Sequence, residues 1–195
     1  MEEIKQTDVL THPERSQLLL LARQAIEKAV EGEGYILPEL SCLSPRLRAD
    51  GACFVTLTQA NGELRGCIGG LEAVNPLALD VCEHAAAAAM EDYRFMPVRP
   101  EEVAGLHIEI SRLTPPQPLA YDRPEDLPGL LRPNIDGVVL RDGGRRATFL
   151  PQVWEKLPDP RAFLNHLCQK MGLPSDQWKR RKMQVEIYHV EEFHE

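Results

Sequence analysis

Cys53-Phe54-Val55-Thr56-Leu57-Thr58 and Leu64-Arg65-Gly66-Cys67-Ile68-Gly69-Gly70, joined through Asn61-Gly62, form the stretch on which the reading of this chain rests. Both arms are rich in strand formers, and Asn-Gly between them is a strong signal for a two-residue hairpin turn. With Asn61 and Gly62 as the turn, Ala60 faces Glu63, Thr58 faces Arg65, Leu57 faces Gly66, Thr56 faces Cys67 and Val55 faces Ile68. Side chains alternate along a strand. One face then carries Val55, Leu57, Leu64 and Ile68 and belongs to a core. The other carries Thr56, Thr58, Arg65 and Cys67.

That second face has the makings of a site. A cysteine reacts as its thiolate, and a neighbouring guanidinium lowers the thiol pKa by favouring the charged form. Gly66 removes bulk opposite Leu57, and Gly69-Gly70 permits close approach of a ligand. Exposed amides there, near the start of the next helix, could receive an anion. The glycines do not form a dinucleotide fingerprint or a phosphate-binding loop, so nucleotide binding has little support. The bland alternative is a cysteine packed as a small hydrophobe and an arginine paired with a carboxylate.

Outward from the hairpin, the first clear element is a helix. Thr11 and Glu14 make a capping box around Pro13, an apolar stripe runs from Leu18 to Val30, and Gly32 and Gly34 end it. Residues 35–50 read as an irregular connection. Asn75 caps a second helix with Pro76 at its first position, and an alanine run, Ala85–Ala89, lets another element approach closely. Leu106–Ile110 reads as a strand, and Pro115, Pro116 and Pro118 as a linker. A short helix follows around Pro124–Leu130. Asp136–Leu140, the turn Asp142-Gly143-Gly144 and Arg146–Leu150 form a second hairpin. Pro151–Leu157 and Arg161–Met171 read as helices and Val185–Val190 as a last strand. Hairpins mixed with helices predict an α+β fold, with mostly antiparallel sheets and flanking helices.

The 195 residues suit one domain, or a domain with a small subdomain. A net charge of -8 disfavours long-range attraction to nucleic acid or to an anionic membrane. The one basic run, Lys179-Arg180-Arg181-Lys182, reads as a solvated turn before the last strand. Five cysteines without a C-x-x-C pair form neither a disulfide framework nor a zinc knuckle, and fit reduced thiols in a cytoplasmic protein. The apolar run Leu18–Ala22 is too short to span a bilayer, and no secretory signal is expected. No cofactor motif or metal spacing is evident, and no feature sets an oligomeric state.

Other chemical candidates lie further along. Asp92 and Arg94 follow the second helix, either as a polar clamp at the site or as a structural ion pair. Glu109 is a base near Cys67 or a solvent-facing strand residue. His166 sits just off the apolar stripe of its helix, as a base for Cys67 or as a surface histidine.

Leu64-Arg65-Gly66-Cys67-Ile68-Gly69 resembles the signature of the AMMECR-one domain family. The match continues through Glu91-Asp92-Tyr93-Arg94-Phe95-Met96-Pro97, through Glu109–Pro116, through Gly137–Val153 with Ala147-Thr148-Phe149-Leu150-Pro151-Gln152-Val153, and through Phe163-Leu164-Asn165-His166-Leu167-Cys168. The resemblance covers nearly the whole chain from Leu18 onward. It implies a single domain over residues 1–195, built of a larger lobe, a smaller inserted lobe and a cleft between them. It implies a bacterial or archaeal protein of the AmmeMemoRadiSam type, associated with a Memo-like protein and a radical SAM enzyme, and it brings no reaction with it. Carried over, the site residues are Arg65, Gly66, Cys67 and Gly69, then Asp92 and Arg94, then Thr148 and Pro151. Tyr93 departs from the family's proline, and His166 belongs to the prokaryotic pattern. The expected cleft set is therefore Cys67, Arg65 and His166 for chemistry, with Thr56, Thr58, Gly66, Gly69, Gly70, Asp92, Arg94, Glu109 and Thr148 around them. Two functions are open: a thiol-dependent enzyme or enzyme subunit acting on a small or anionic substrate, and a non-catalytic binding or adaptor module.

Overall fold

The structure is a computed structural model that describes residues 9–35 and 37–195. It is α+β with antiparallel sheets, and the chain divides into two compact units, each with its own apolar cluster. The first unit runs through Thr114 and takes back Glu191–Glu195; the second is Pro115–Val190.

The first unit begins with α1 (His12–Val30), which carries the expected capping box: Thr11 accepts from the Glu14 amide and Glu14 accepts from the Thr11 amide. The connection that follows holds a 3-10 turn at Leu40–Cys42 and a single helical turn, α2 (Pro45–Arg48). The sheet is built from β1 (Asp50–Thr58), β2 (Leu64–Gly69), β3 (Asn75–Pro76), β4 (His107–Leu113) and β9 (Val190–His194), in the order β2-β1-β4-β9 with β3 also on β1. Between β3 and β4 lie α3 (Leu77–Met90) and the short α4 (Pro100–Val103).

Along β1 burial alternates: Cys53, Val55 and Leu57 are fully buried, and Phe54, Thr56 and Thr58 are half-buried. The buried side meets α3, itself packed on α1. The alanine run explains how closely α3 sits. A Cβ on Gly66 would lie 2.1 Å from the Ala88 carbonyl oxygen, so glycine is required there by backbone proximity.

Two sequence expectations shift. Asn75 and Pro76 do not open the second helix; they pair with Gly51 and Asp50, and the Leu77 amide continues to the Ala49 carbonyl. Extended backbone at Pro76 satisfies more strand groups than an early helical turn would. The last strand is also two strands. β8 (Gln184–Tyr188) belongs to the second unit, and β9 returns to β4. Charged Glu191 and Glu192 mask β9 in the sequence, and Glu191 is drawn in by Arg15 and Arg112.

In the second unit, β5 (Gln117–Pro118), β8, β6 (Gly137–Asp142) and β7 (Arg145–Phe149) form a sheet in the order β5-β8-β6-β7. A 3-10 turn and α5 (Leu127–Leu130), a 3-10 segment at Pro151–Glu155, α6 (Pro160–Lys170) and α7 (Gln177–Arg180) complete it. Trp154 stacks on Phe163 at 3.7 Å between ring centres, and its indole N–H donates to the Asp136 carbonyl. The basic run is engaged locally: Lys179 lies over Trp178, Arg180 on Asp176, Arg181 on Asp142 and Lys182 over Tyr121. Among the described residues no helix is long and apolar enough to cross a membrane.

Candidate functional site

The β1–β2 hairpin keeps the expected pairing at its centre but reaches it by a different path. Val55 faces Ile68, Thr56 faces Cys67 and Leu57 faces Gly66. The turn, however, is three residues long. The Gly62 amide donates to the Gln59 carbonyl, the Gln59 amide donates to the Glu63 carbonyl, and Gly62 takes φ +82°. That is a type I turn closed by a left-handed glycine. It moves the register by one, so Thr58 faces Leu64 rather than Arg65. A bulge at Arg65 then restores the register before Cys67.

The bulge reverses the expected faces of two residues. Leu64, read as a core anchor, is exposed, and Arg65, read as a companion of Cys67, is buried. Arg65 turns to α4, where Nε and Nη2 donate to the two Glu102 carboxylate oxygens at 3.0 and 3.3 Å. Nη2 also donates to the Pro97 carbonyl at 3.3 Å. The Arg65 bonds come first among the forces that lower the Glu102 pKa to about 2. Both ends of this guanidinium–carboxylate fork are occupied by holding α4 and the preceding loop to β2.

Cys67 has different neighbours. Its side chain is half-buried, and the Thr56 hydroxyl donates to Sγ at 3.4 Å. Its backbone lies on the free edge of β2, where both polar groups are taken by the segment after α3. The Cys67 amide donates to Asp92 Oδ2 at 2.9 Å, and its carbonyl accepts from Arg94 Nη2 at 3.3 Å. Arg94 and Asp92 are themselves joined, Nε to Oδ1 at 2.9 Å and Nη2 to Oδ2 at 2.6 Å. Those bonds from Arg94 hold the Asp92 carboxyl well below the usual carboxylate range. Asp92 and Arg94 therefore clamp the cysteine through its main chain and cover an edge otherwise open to pairing.

One strand further, Thr56 faces Glu109 on β4. Cys67, Thr56 and Glu109 thus form a row across three strands on one face of the sheet, with the threonine between thiol and carboxylate. Gly69 is explained by packing: a Cβ there would lie 2.4 Å from both the Cys53 carbonyl and the Phe54 ring. Gly70 donates its amide to the Cys53 carbonyl and lies against the His84 ring. Thr148 and His166 belong to the second unit. The Thr148 hydroxyl is buried against the Tyr188 hydroxyl at 3.1 Å, and His166 is an exposed residue of α6. Within the first unit the structure brings together Thr56, Cys67, Asp92, Arg94 and Glu109, and sends Arg65 elsewhere.

One cluster was not read from the sequence. On the buried face of the same hairpin, Cys53, Asp80 and His84 converge. Burial first, then the charge of Asp80, pushes the Cys53 thiol up. The signals were present: Asp80 and His84 stand four apart on α3, and Cys53 shares the parity of Val55 and Leu57.

A family model, AMMECR1, matches residues 19–193. The chain belongs to the AMMECR1 family. A protein of Methanothermobacter thermautotrophicus is 39% identical over 188 residues, covering 95% of this chain and 96% of that one. A protein of Aquifex aeolicus is 34% identical, covering 92% and 91%. The crystal structure of an uncharacterized protein from Pyrococcus horikoshii shares 33% identity at a TM-score of 0.74, over 95% of this chain and 93% of that one. These likenesses bring the AMMECR1 fold and no reaction.

Proposed function

We propose that this AMMECR1-family protein acts through the Cys67 thiol, as a thiol-dependent enzyme or enzyme subunit on a small or anionic substrate. One observation carries the reading. The packing of the hairpin accounts for Arg65, Gly66 and Gly69, and leaves Cys67 as the motif residue whose side chain is held in place yet open, with the Thr56 hydroxyl donating to its sulfur. The Thr56 hydroxyl donates to the sulfur, and the Asp92–Arg94 pair, held on the main chain of the same residue, stands where the sequence had expected Arg65. Glu109, paired with Thr56 across β1 and β4, is the carboxylate of the same row.

The test is the alkylation rate of Cys67 by iodoacetamide at neutral pH, read by mass spectrometry of the modified peptide. Wild type is expected to react faster than a free cysteine thiol. Thr56→Val and Arg94→Gln are expected to slow the reaction. Modification no faster than that of a free thiol, at the same rate in all three proteins, removes the proposal.

A second reading draws on a different observation. Tyr93 and Met96, on the loop that carries Arg94, are 94% and 81% exposed. Large apolar side chains so fully displayed suit a protein partner. On this reading the clamp is a binding platform, and a Memo-like protein or a radical SAM enzyme is the partner proposed. Alkylation kinetics of Cys67 like those of a free thiol, together with loss of such a complex in a Tyr93→Ser, Met96→Ser variant, would favour it over the thiol enzyme.

A further inference from the structure

The buried face of the hairpin holds the strongest feature that the Cys67 site does not use. Cys53 on β1 is fully buried, Asp80 on α3 is nearly so, and the His84 side chain is 16% exposed. Their donor atoms lie within 4.8 Å of one another. His84 Nδ1 is 3.2 Å from Asp80 Oδ2 and 3.8 Å from Cys53 Sγ. The elements that bring them are rigid: a central strand, and a helix packed on it that presents Asp80 and His84 on one side four residues apart.

We propose that Cys53 Sγ, Asp80 Oδ2 and His84 Nδ1 form a site for a divalent cation of the zinc class. The spacings fit such an ion. With tetrahedral angles and bonds of ~2.3 Å to sulfur, ~2.0 Å to imidazole nitrogen and ~2.0 Å to carboxylate oxygen, the nitrogen–oxygen separation is ~3.3 Å and the sulfur–nitrogen separation ~3.5 Å. The observed nitrogen–oxygen and sulfur–nitrogen separations lie within tenths of an ångström of these values. One thiolate, one imidazole and one carboxylate is also a donor set that prefers zinc or cobalt to magnesium or calcium. Three protein donors leave a fourth position to a water or a small ligand, reached on the side where His84 is open.

The surroundings support a built site. The Cys53 amide donates to Asp80 Oδ2 at 2.9 Å, orienting the carboxylate toward the sulfur's own residue. The Gly70 amide donates to the Cys53 carbonyl at 3.0 Å and fixes the strand from the other edge. Such outer bonds hold ligands in register before the ion arrives. The site lies on the opposite face of β1 from Thr56 and does not depend on the reading of Cys67.

The experiment titrates the full chain with cobalt(II) and follows the visible spectrum. The expected result is one equivalent taken up with a thiolate-to-cobalt charge-transfer band and tetrahedral d–d bands, both displaced by zinc. Cys67→Ser should leave the bands unchanged. Cys53→Ser should abolish the charge-transfer band, and His84→Ala should weaken cobalt binding at least tenfold. Should Cys53→Ser fail to fold, His84→Ala still decides, because its side chain reaches the surface. Zinc should then raise the melting temperature of wild type and leave that of His84→Ala unmoved. Absence of a charge-transfer band in wild type, its persistence in Cys53→Ser, or its loss in Cys67→Ser overturns the proposal.

Discussion

The molecule contains two hairpins with similar turn signals and different outcomes. In the second unit, β6 and β7 pair without interruption from Val138–Phe149 to Asp142–Arg145 around Gly143-Gly144. Gly143 alone of the two takes positive φ, at +59°, the pattern of a II′ turn whose twist suits the strands. In the first unit, Asn61-Gly62 gives a longer turn, and the bulge at Arg65 compensates for it. The regular hairpin shows no shift in its ladder. The irregular one uses two departures that cancel, and between them Arg65 is turned toward α4 while Cys67 keeps its place beside Thr56. A bulge of this kind re-aims one side chain without moving the next pair.

The sharpest way to break the comparison is at Gly66. A methyl group there would meet the Ala88 carbonyl oxygen at 2.1 Å, and backbone on both sides cannot yield cheaply. Gly66→Ala is expected to cost at least about 3 kcal/mol, the upper range for overpacking. Urea unfolding should show a lower midpoint, and hydrogen exchange should locate the loss in β2 and α3. A midpoint within error of wild type would mean that α3 and β2 are not in close contact.

Glu102 sharpens the comparison next, because it is the partner that the bulge exists to reach. Glu102→Gln keeps the shape and removes the charge from a pair whose arginine is buried. The expected loss is about 1–3 kcal/mol, the range for a charged hydrogen bond left half-made. The pH dependence has a definite sign. A carboxylate whose pKa is depressed to about 2 from 4.5 contributes stability that is fully present above the higher value. That contribution disappears as pH falls through the lower one. The deficit of Glu102→Gln relative to wild type should therefore be constant from neutrality to about pH 5 and shrink below about pH 4. A deficit that grows in acid would show that Arg65 and Glu102 are not paired.

How much of this was legible in the sequence depends on which physical signal each residue carried. The capping box of α1, the two hairpins and the α+β class follow from local rules, and the structure has them. The pairing of Thr56 with Cys67 was also legible, because a two-residue turn and the two compensating irregularities that the chain makes lead to the same register there. Arg65 could not be placed, since its direction depends on Glu102, thirty-seven residues away on α4. Asp92 and Arg94 were recognised as a pair, but nothing local says that they bind the main chain of Cys67. The Cys53–Asp80–His84 cluster was available from helix spacing and strand parity together. Taken alone, Cys53 fits a core position and Asp80 and His84 fit an ordinary helix pair, so neither signal by itself points to a cluster.

The regular hairpin supplies the smallest expected effect. At Gly144 a Cβ would have no atom within 4 Å, and its φ is not positive, so alanine fits both the space and the backbone. Gly144→Ala should change stability by no more than about 0.5 kcal/mol, in either direction. Restricting the unfolded chain favours the alanine slightly, and loss of turn flexibility opposes it. At Gly143 the same substitution places a side chain in the left-handed region and should cost about 1 kcal/mol despite equal open space. Urea melts of the two variants separate backbone conformation from crowding. If Gly144→Ala proved the more damaging of the two, the II′ assignment would be wrong, and the contrast between a hairpin shaped by its turn and one shaped by its neighbours would fall with it.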